Sequence, residues 1–313
     1  MDGPATTSPR PPSRARVVAI LVVLCLVWGS TWLVVKWELA DLPPFGSAGV
    51  RFAIAALAMA IVTPALRRRE GGASPSSWLS ILQGATNFGA SYAIVYTGET
   101  ALPSGLVATL FALFPLLMAV SGHFFLPGER LGRASAFGFA VGFGGVALLV
   151  WTDLAKLGPG SVPMALFVLV APTVSTIGNT AVRRYGRQAS SVVLSRDSMV
   201  VAAVLLCALA LVFERDAPIH LTARAVLSVV FLALVGTCLT FGSYLYLMRY
   251  VPAARLSLIA FVTPAVALFL GWAVDSEPIY WHTIVGAALI LVGVGLGALA
   301  RGRAAPAPRP RES

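Results

Sequence analysis

Charge is scarce in this chain. Only 12% of its 313 residues are Asp, Glu, Lys or Arg, about half the roughly 25% usual in soluble domains. So few charges cannot cover a water-facing surface of ordinary size, which excludes a soluble globular domain and points to lipid as the solvent. Lysine is nearly missing. Lys36 and Lys156 are the only ones and neither follows a glycine, so a GxxxxGK[ST] phosphate loop, and ATP hydrolysis through one, is ruled out. The histidines, His123, His220 and His282, are scattered, with no HExxH and no Cys/His metal spacing. No metal, no cofactor and no catalytic triad is expected, and a membrane enzyme would need clustered His, Asp or Glu at one membrane face. The three cysteines, Cys25, Cys207 and Cys238, all fall in apolar stretches and read as small buried hydrophobes, not as a disulfide framework.

What the chain does have is apolar length. Hydrophobic residues make up 58% of it, with a mean hydropathy of +0.84. They gather in ten blocks, at about 17–36, 44–66, 78–96, 104–125, 134–151, 162–182, 190–213, 225–248, 253–274 and 281–300. Each is close to the ~20 residues that cross a bilayer core as a helix. The runs are continuous and do not alternate, which excludes the strands of a transmembrane barrel. The fold class is therefore all-α integral membrane, with ten transmembrane helices. Residues 1–16, rich in Pro, Ser and Thr, read as a disordered cytoplasmic segment, and 301–313 as a basic tail. Arg10, Arg14 and Arg16 before an apolar run resemble a signal peptide. The run continues through Trp28 and Trp32 to Lys36 without a small-residue cleavage site, so it reads as an uncleaved first helix.

The net charge of +10 does not imply nucleic acid, because the basic residues sit in short clusters between blocks. Arg67, Arg68, Arg69, Arg183, Arg184 and Arg187 mark one set of connectors. The opposite set holds Lys36, Lys156, Arg215 and Arg224 beside most of the acids, among them Glu38, Asp41, Glu99, Glu214, Asp275 and Glu277. Lys and Arg favour the cytoplasmic side, so both termini are expected in the cytoplasm of a multi-pass cell-membrane protein.

The halves resemble each other. Gly84 to Tyr92 reads GATNFGASY and Gly236 to Tyr244 reads GTCLTFGSY. Pro103 and Pro115 are spaced as Pro252 and Pro264 are. Glu129, Gly138 and Gly145 are spaced as Glu277, Gly286 and Gly293 are. This gives a first five-helix repeat at 17–151, a linker at 152–161 and a second repeat at 162–300. Five is odd, so the second repeat enters the membrane from the opposite side. Inverted repeats place a binding site near mid-bilayer and permit alternating access.

Trp28-Gly29-Ser30-Thr31-Trp32 with Lys36, Arg51-Phe52, Pro115 followed by Gly128-Glu129-Arg130, Pro264 followed by Glu277, and the glycines of helices 5 and 10 resemble the drug/metabolite transporter superfamily, specifically its EamA-like ten-helix members. The resemblance spans about Val17 to Ala300. It implies a 5+5 inverted-repeat transporter whose central cavity is lined mainly by helices 1, 3, 4, 6, 8 and 9. Many relatives export amino acids or other metabolites. The chain departs from the pattern in helix 6, where Ser175 and Asn179 stand in the positions of Trp28 and Trp32.

Candidate cavity residues are Trp28, Ser30, Trp32, Asn87, Tyr92, Asn179 and Tyr244, aromatic walls with a few hydrogen-bonding groups. Interface anchoring competes for the aromatics, best for Tyr96 and Tyr246 near helix ends, and interhelix bonding competes for the Asn residues. Arg51, Arg196 and Asp197 are candidates for gating or ion coupling, against snorkelling and local pairing. Asp197 reads as the one carboxylate placed within a helix and so as the first candidate proton carrier. Pro115, Pro172 and Pro264 are kink candidates. Gly138 with Gly142, and Gly293 with Gly297, form small-xxx-small faces that suit packing within the chain or a homodimer. Glu129 and Glu277 read as caps of the next helix start, outside the site.

The expected function is a secondary transporter exporting a small metabolite such as an amino acid by alternating access. Multidrug or small-amphiphile efflux is the alternative, and a polytopic membrane enzyme or a non-transporting scaffold would be a different class. The expected partners are a small-molecule substrate, the bilayer and, if transport is coupled, a proton; no nucleic acid is expected.

Overall fold

A computed structural model describes residues 13–127, 132–152, 158, 160–248, 256 and 258–304. Ten helices run through them. They are α1 (Arg14–Leu39), α2 (Pro44–Glu70), α3 (Ser77–Gln83, Gly84–Ala90 and Ser91–Ala101), α4 (Ser104–Phe111 and Phe114–Phe125) and α5 (Arg133–Thr152). The second half holds α6 (Ser161–Val168 and Val170–Tyr185), α7 (Ser191–Phe213), α8 (Ala223–Ala233, Leu234–Leu239 and Thr240–Met248), α9 (Leu258–Asp275) and α10 (Trp281–Ala304). Among the described residues the only strand-like pairing is one bridge between Ala73 and Ala189.

Hydrocarbon offers no hydrogen-bond partners, so each apolar block satisfies its own backbone as a helix. The ends are set by local chemistry. Ser13, Ser190 and Thr222 accept from the amides of Arg16, Val193 and Ala225 at the starts of α1, α7 and α8. Pro44 opens α2, and Gly71, at φ +73°, ends it with its amide on the Arg67 carbonyl. Ser13 starts α1 at Arg14, inside the stretch read as a disordered segment; residues 1–12 lie outside the described ones, as do the linker residues 153–157 and 159 and the tail from 305.

Helices α2 and α7, corresponding members of the two repeats, pack antiparallel. Glu70 at the end of α2 accepts from the amides of Ser191 (3.1 Å) and Val192 (3.3 Å) at the start of α7. Glu214 at the end of α7 accepts from Phe45 and Gly46 at the start of α2. Helices α5 and α10 also run antiparallel. A side chain at Gly145 would collide with Gly286 and Ile290, and one at Gly293 with Gly138 and Gly142. The small-residue faces thus pack on each other within one chain, and the homodimer expected as one option finds these faces already covered. Helices α1 and α9 run parallel, from Gly29 against Thr263 and Val266 to Trp37 against Asp275. So do α4 and α6, from Ser121 against Thr180 (2.7 Å) to Arg184 on the Phe125 carbonyl (2.9 Å). Exchanging the halves maps α2–α7 and α5–α10 onto themselves and α1–α9 onto α6–α4, which is the inverted five-plus-five arrangement.

The repeated GATNFGASY and GTCLTFGSY motifs have a structural counterpart. Gly84–Ala90 in α3 and Leu234–Leu239 in α8 are both π-helical turns. A π turn inserts a residue and widens the ladder, and in α8 the Thr237 hydroxyl follows the wider spacing by donating to the Leu232 carbonyl (2.8 Å). Of the kink candidates, Pro115 and Pro172 lie just beyond interruptions of α4 after Phe111 and of α6 after Val168, whereas Pro264 sits inside a continuous α9.

The core has two large clusters beside a small one of Leu24, Leu247, Leu256 and Ile259. Phe52, Met59, Tyr96, Met199 and Leu206 fill the space among α2, α3 and α7. Leu106, Leu110, Leu116, Ile290 and Val294 fill that between α4 and α10. Around both stands an exposed apolar belt that includes Leu57, Ile61, Phe124, Leu211 and Phe269, as lipid contact requires.

Candidate functional site

Two groups of polar side chains lie along the seam between the repeats. The first is aromatic and amide in character. Trp28 on α1 donates its indole N–H to the Thr240 hydroxyl of α8 at 2.9 Å, and its ring packs against Phe241 and Tyr244 with centroids 6.1 and 5.6 Å away. The aromatic wall continues through Phe88 and Phe52 to Tyr92. Trp32, one turn beyond Trp28, packs against Phe111 of α4. On the other side of the seam Asn87, inside the π turn of α3, accepts from Asn179 Nδ2 of α6 at 2.9 Å and from the Ser175 hydroxyl. Among the described residues this leaves Asn87 Nδ2 and Asn179 Oδ1 outside the network, one donor and one acceptor, with the amide orientations assigned from hydrogen bonding.

Trp28, Trp32, Asn87, Tyr92, Asn179 and Tyr244 are all half-buried. Ser30 is half-buried too, but its hydroxyl turns back onto the Val27 carbonyl of its own helix. The structure therefore gathers the cavity candidates into an α1–α8 half and an α3–α6 half, related as the repeats are. Ser175 and Asn179 replace indoles by groups that hold Asn87. The side chain of Tyr246 lies outside the described ones, as does Glu129. Where α4 and α6 end, a groove lined by Leu126, Pro127, Arg183, Arg184 and Arg187 opens at the arginine-rich end of the bundle.

The second group is ionic and sits at the opposite, acidic end. Arg51 is 2% exposed, so it does not snorkel. It donates to the Tyr96 hydroxyl (3.0 Å) and to Thr237 in the π turn of α8 (3.3 Å), with its guanidinium 5.1 Å from the centre of the Tyr92 ring. Tyr96 in turn donates its hydroxyl hydrogen bond to Glu38 Oε2 at 3.3 Å. Tyr96 is fully buried, so interface anchoring does not describe it. Lys36 donates to the carbonyls of Glu99 and Leu102, where an ammonium also meets the negative end of the α3 dipole. Glu277 accepts from the Ser104 amide (2.7 Å), the Ser104 hydroxyl (3.0 Å) and the Gly105 amide (3.3 Å). It therefore caps α4 of the other repeat, not the next helix α10 as the sequence had led us to expect.

Asp197 is not the one carboxylate in a helix. Glu38 lies in α1 and Glu99 in α3, both buried. Their positions just past the apolar blocks at 17–36 and 78–96 read as loop, yet between the block ends and Leu39 or Ala101 the sequence holds no Pro and no Gly but Gly98, which lets α3 approach Val168. That missing breaker was the available signal. Arg196 and Asp197 instead pair with each other at 2.7 Å, each about one-third exposed, and contribute to neither group.

Comparison with known proteins bears on this arrangement. The EamA-like transporter family matches residues 15–151 and again 162–298. The uncharacterised transporter YoaV of Bacillus subtilis is 25% identical over 279 residues, covering 89% of this chain and 95% of its own. The uncharacterised inner membrane transporter YedA of Escherichia coli is 26% identical over 263 residues, covering 82% of each chain. A plant protein, the chloroplastic WAT1-related protein At3g02690 of Arabidopsis thaliana, is 25% identical over 87% of this chain and 67% of its own. A crystal structure at 22% identity superposes with a TM-score of 0.66 over 93% of this chain and 99% of the other, a likeness of fold.

Proposed function

This chain belongs to the EamA-like transporter family, and from that premise we propose that it is a secondary transporter of the cell membrane that exports a small amphipathic metabolite, such as an amino acid, by alternating access. The family supports a membrane transporter with a small-molecule substrate over an enzyme. The observation that carries the finer reading is the seam. Half-buried aromatic rings from α1 and α8 and a half-buried amide pair from α3 and α6 lie where helices of the two repeats meet. Polar groups in membrane helices are costly unless they line a cavity or bind a ligand. Rings and amides together suit a substrate with one apolar and one polar side.

The arginine-rich end, and with it both termini, faces the cytoplasm in this reading, because Lys and Arg concentrate there. The groove between α4 and α6 then opens inward, while Glu277 on Ser104 and Trp37 on Asp275 close the outer end. Efflux of larger amphiphiles is the second reading, favoured by two buried carboxyls, Glu38 bonded to Tyr96 and Glu99. Proteoliposomes loaded with radiolabelled amino acids, and separately with fluorescent amphiphilic cations, distinguish the two. Amino-acid flux that saturates and falls with Trp28→Ala supports the first reading. Flux of the cations alone supports the second, and no flux of either class defeats both.

A further inference from the structure

We propose that Glu99 is the proton-carrying residue of this transporter, holding a proton while the acidic end is closed and releasing it when that end opens. The inference rests on the transport reading and replaces Asp197 in the coupling role.

Three carboxylates converge at the acidic ends of α1, α3 and α9, and two have partners. Glu38 accepts from Tyr96, with Arg51 behind it. Glu277 accepts from the backbone and side chain of Ser104 and from Gly105. Glu99 is 1% exposed, and neither of its side-chain oxygens has a hydrogen-bond partner among the described residues. Lys36 lies alongside but gives its ammonium to main-chain carbonyls instead, one of them that of Glu99 itself.

The charged and titratable groups facing Glu99 are Lys36 and Glu38 on α1, Arg51 on α2, Tyr96 on its own helix and Glu277 beyond α9. Lys36 and Arg51 supply two positive charges, set against the carboxyls of Glu38 and Glu277. A carboxylate ion at Glu99 would stand shielded from solvent with no hydrogen-bond donor among the described residues, where an unpaired charge is most costly. As a carboxylic acid Glu99 adds no charge to this set.

Opening supplies the release. The bonds that close this end, Glu277 to Ser104 and Gly105 and Trp37 Nε1 to Asp275 (3.0 Å), each join one repeat to the other. Separating the repeats breaks them, carries the Glu277 charge away from Glu99 and admits water. The Glu99 O–H bond then breaks, its electrons stay on the carboxylate and the proton goes to water. Lys36 is left to balance the new ion. Gate opening and proton release are thereby the same electrostatic event, which is what coupling to a pH gradient requires.

The test uses the full chain in proteoliposomes, wild type and Glu99→Gln, the variant being a neutral isostere of the proposed closed state. Infrared spectroscopy at neutral pH should show a buried carboxylic-acid carbonyl band that is absent from Glu99→Gln. With the standard amino acids as probes, the variant should lose gradient-driven accumulation and accompanying proton movement while keeping equilibrative exchange. A wild type without that band, or a variant still driven by the gradient at the wild-type proton-to-substrate ratio, overturns the proposal. If wild type moves no amino acid, the transport reading fails by itself, and the infrared comparison still decides whether Glu99 holds the proton.

Discussion

The carboxylate of Glu214 sits on the amino end of α2, accepting the amide of Phe45 at 2.7 Å. Glu70 does the same for α7 at the other end of the pair. Each helix thus carries, at its own end, the anion that satisfies its partner's unpaired amides. Glu214→Ala should lower stability by about 1–2 kcal/mol, read from the thermal midpoint of the purified protein, with insertion unaffected. A midpoint equal to wild type would mean that solvent caps α2 equally well.

Arg51 is the larger stake. Removing it strips Tyr96 and Thr237 of its guanidinium hydrogen bonds and takes the cation from behind the buried Glu38, and losing a hydrogen bond to a charged group costs about 1.5–3 kcal/mol. Arg51→Met should therefore lose folded yield sharply. Adding Glu38→Gln to it should restore part of that yield, because the orphaned charge goes too. A double variant no better than the single would show that Arg51 acts through packing on Phe52 and Tyr92.

Trp28 joins the repeats through one hydrogen bond and two ring contacts. Trp28→Phe keeps much of the packing and loses about 1 kcal/mol of hydrogen bonding, so flux of a transported amino acid should weaken by about fivefold in apparent affinity. Trp28→Ala should impair flux more while the protein still inserts. Wild-type flux in Trp28→Ala would remove this residue from the substrate path.

Asp41 lies between α1 and α2. The Thr222 hydroxyl (2.7 Å), and after it the Arg224 guanidinium (3.1 Å), hold its carboxyl below the usual aspartate range. A carboxyl lowered on folding contributes stability above its ordinary value and loses it as pH falls through the lowered one. Thermal midpoints should therefore drop on acidification through and below the ordinary aspartate range, and Thr222→Ala should blunt that part of the drop. Identical acid profiles for the two proteins would refute the assignment.

At Gly293 an added methyl group would run into backbone atoms of Gly138 and Gly142. Gly293→Ala should cost about 1–3 kcal/mol through forced separation of α5 from α10. Gly144, whose added carbon would meet nothing, should tolerate alanine. Equal melting of the two variants would argue against close contact of these helices.

Much of this architecture is legible in the amino-acid order. Apolar run length marks the helices, and the spacing of Gly84, Pro115, Glu129 and their counterparts marks the duplication. The π turns are not legible, because Gly84–Ala90 reads as ordinary helix until the close approach of α3 to Ser198 of α7 is known. Glu38 and Glu99 escape for a different reason. Run length ends a block at its last apolar residue, whereas a helix continues as long as its polar side chains find partners or shelter inside, as these do. Trp28, Asn87, Tyr92, Asn179 and Tyr244 could be placed as residue types, but their division into an indole–hydroxyl half and an amide half depends on which helices meet across the seam.

Because the α2–α7 pair is fastened by a glutamate at each end, it acts as a strut that favours neither face of the membrane. Any preference for one direction must then come from side chains that the two halves do not share. Lys36 has Arg183 at the matching place on α6, beside the groove at the other end, and Glu38 has Tyr185. A transporter whose frame reads the same from either side would take any direction from a handful of substitutions between its copies, so exchanging those few residues tests direction while leaving the scaffold alone.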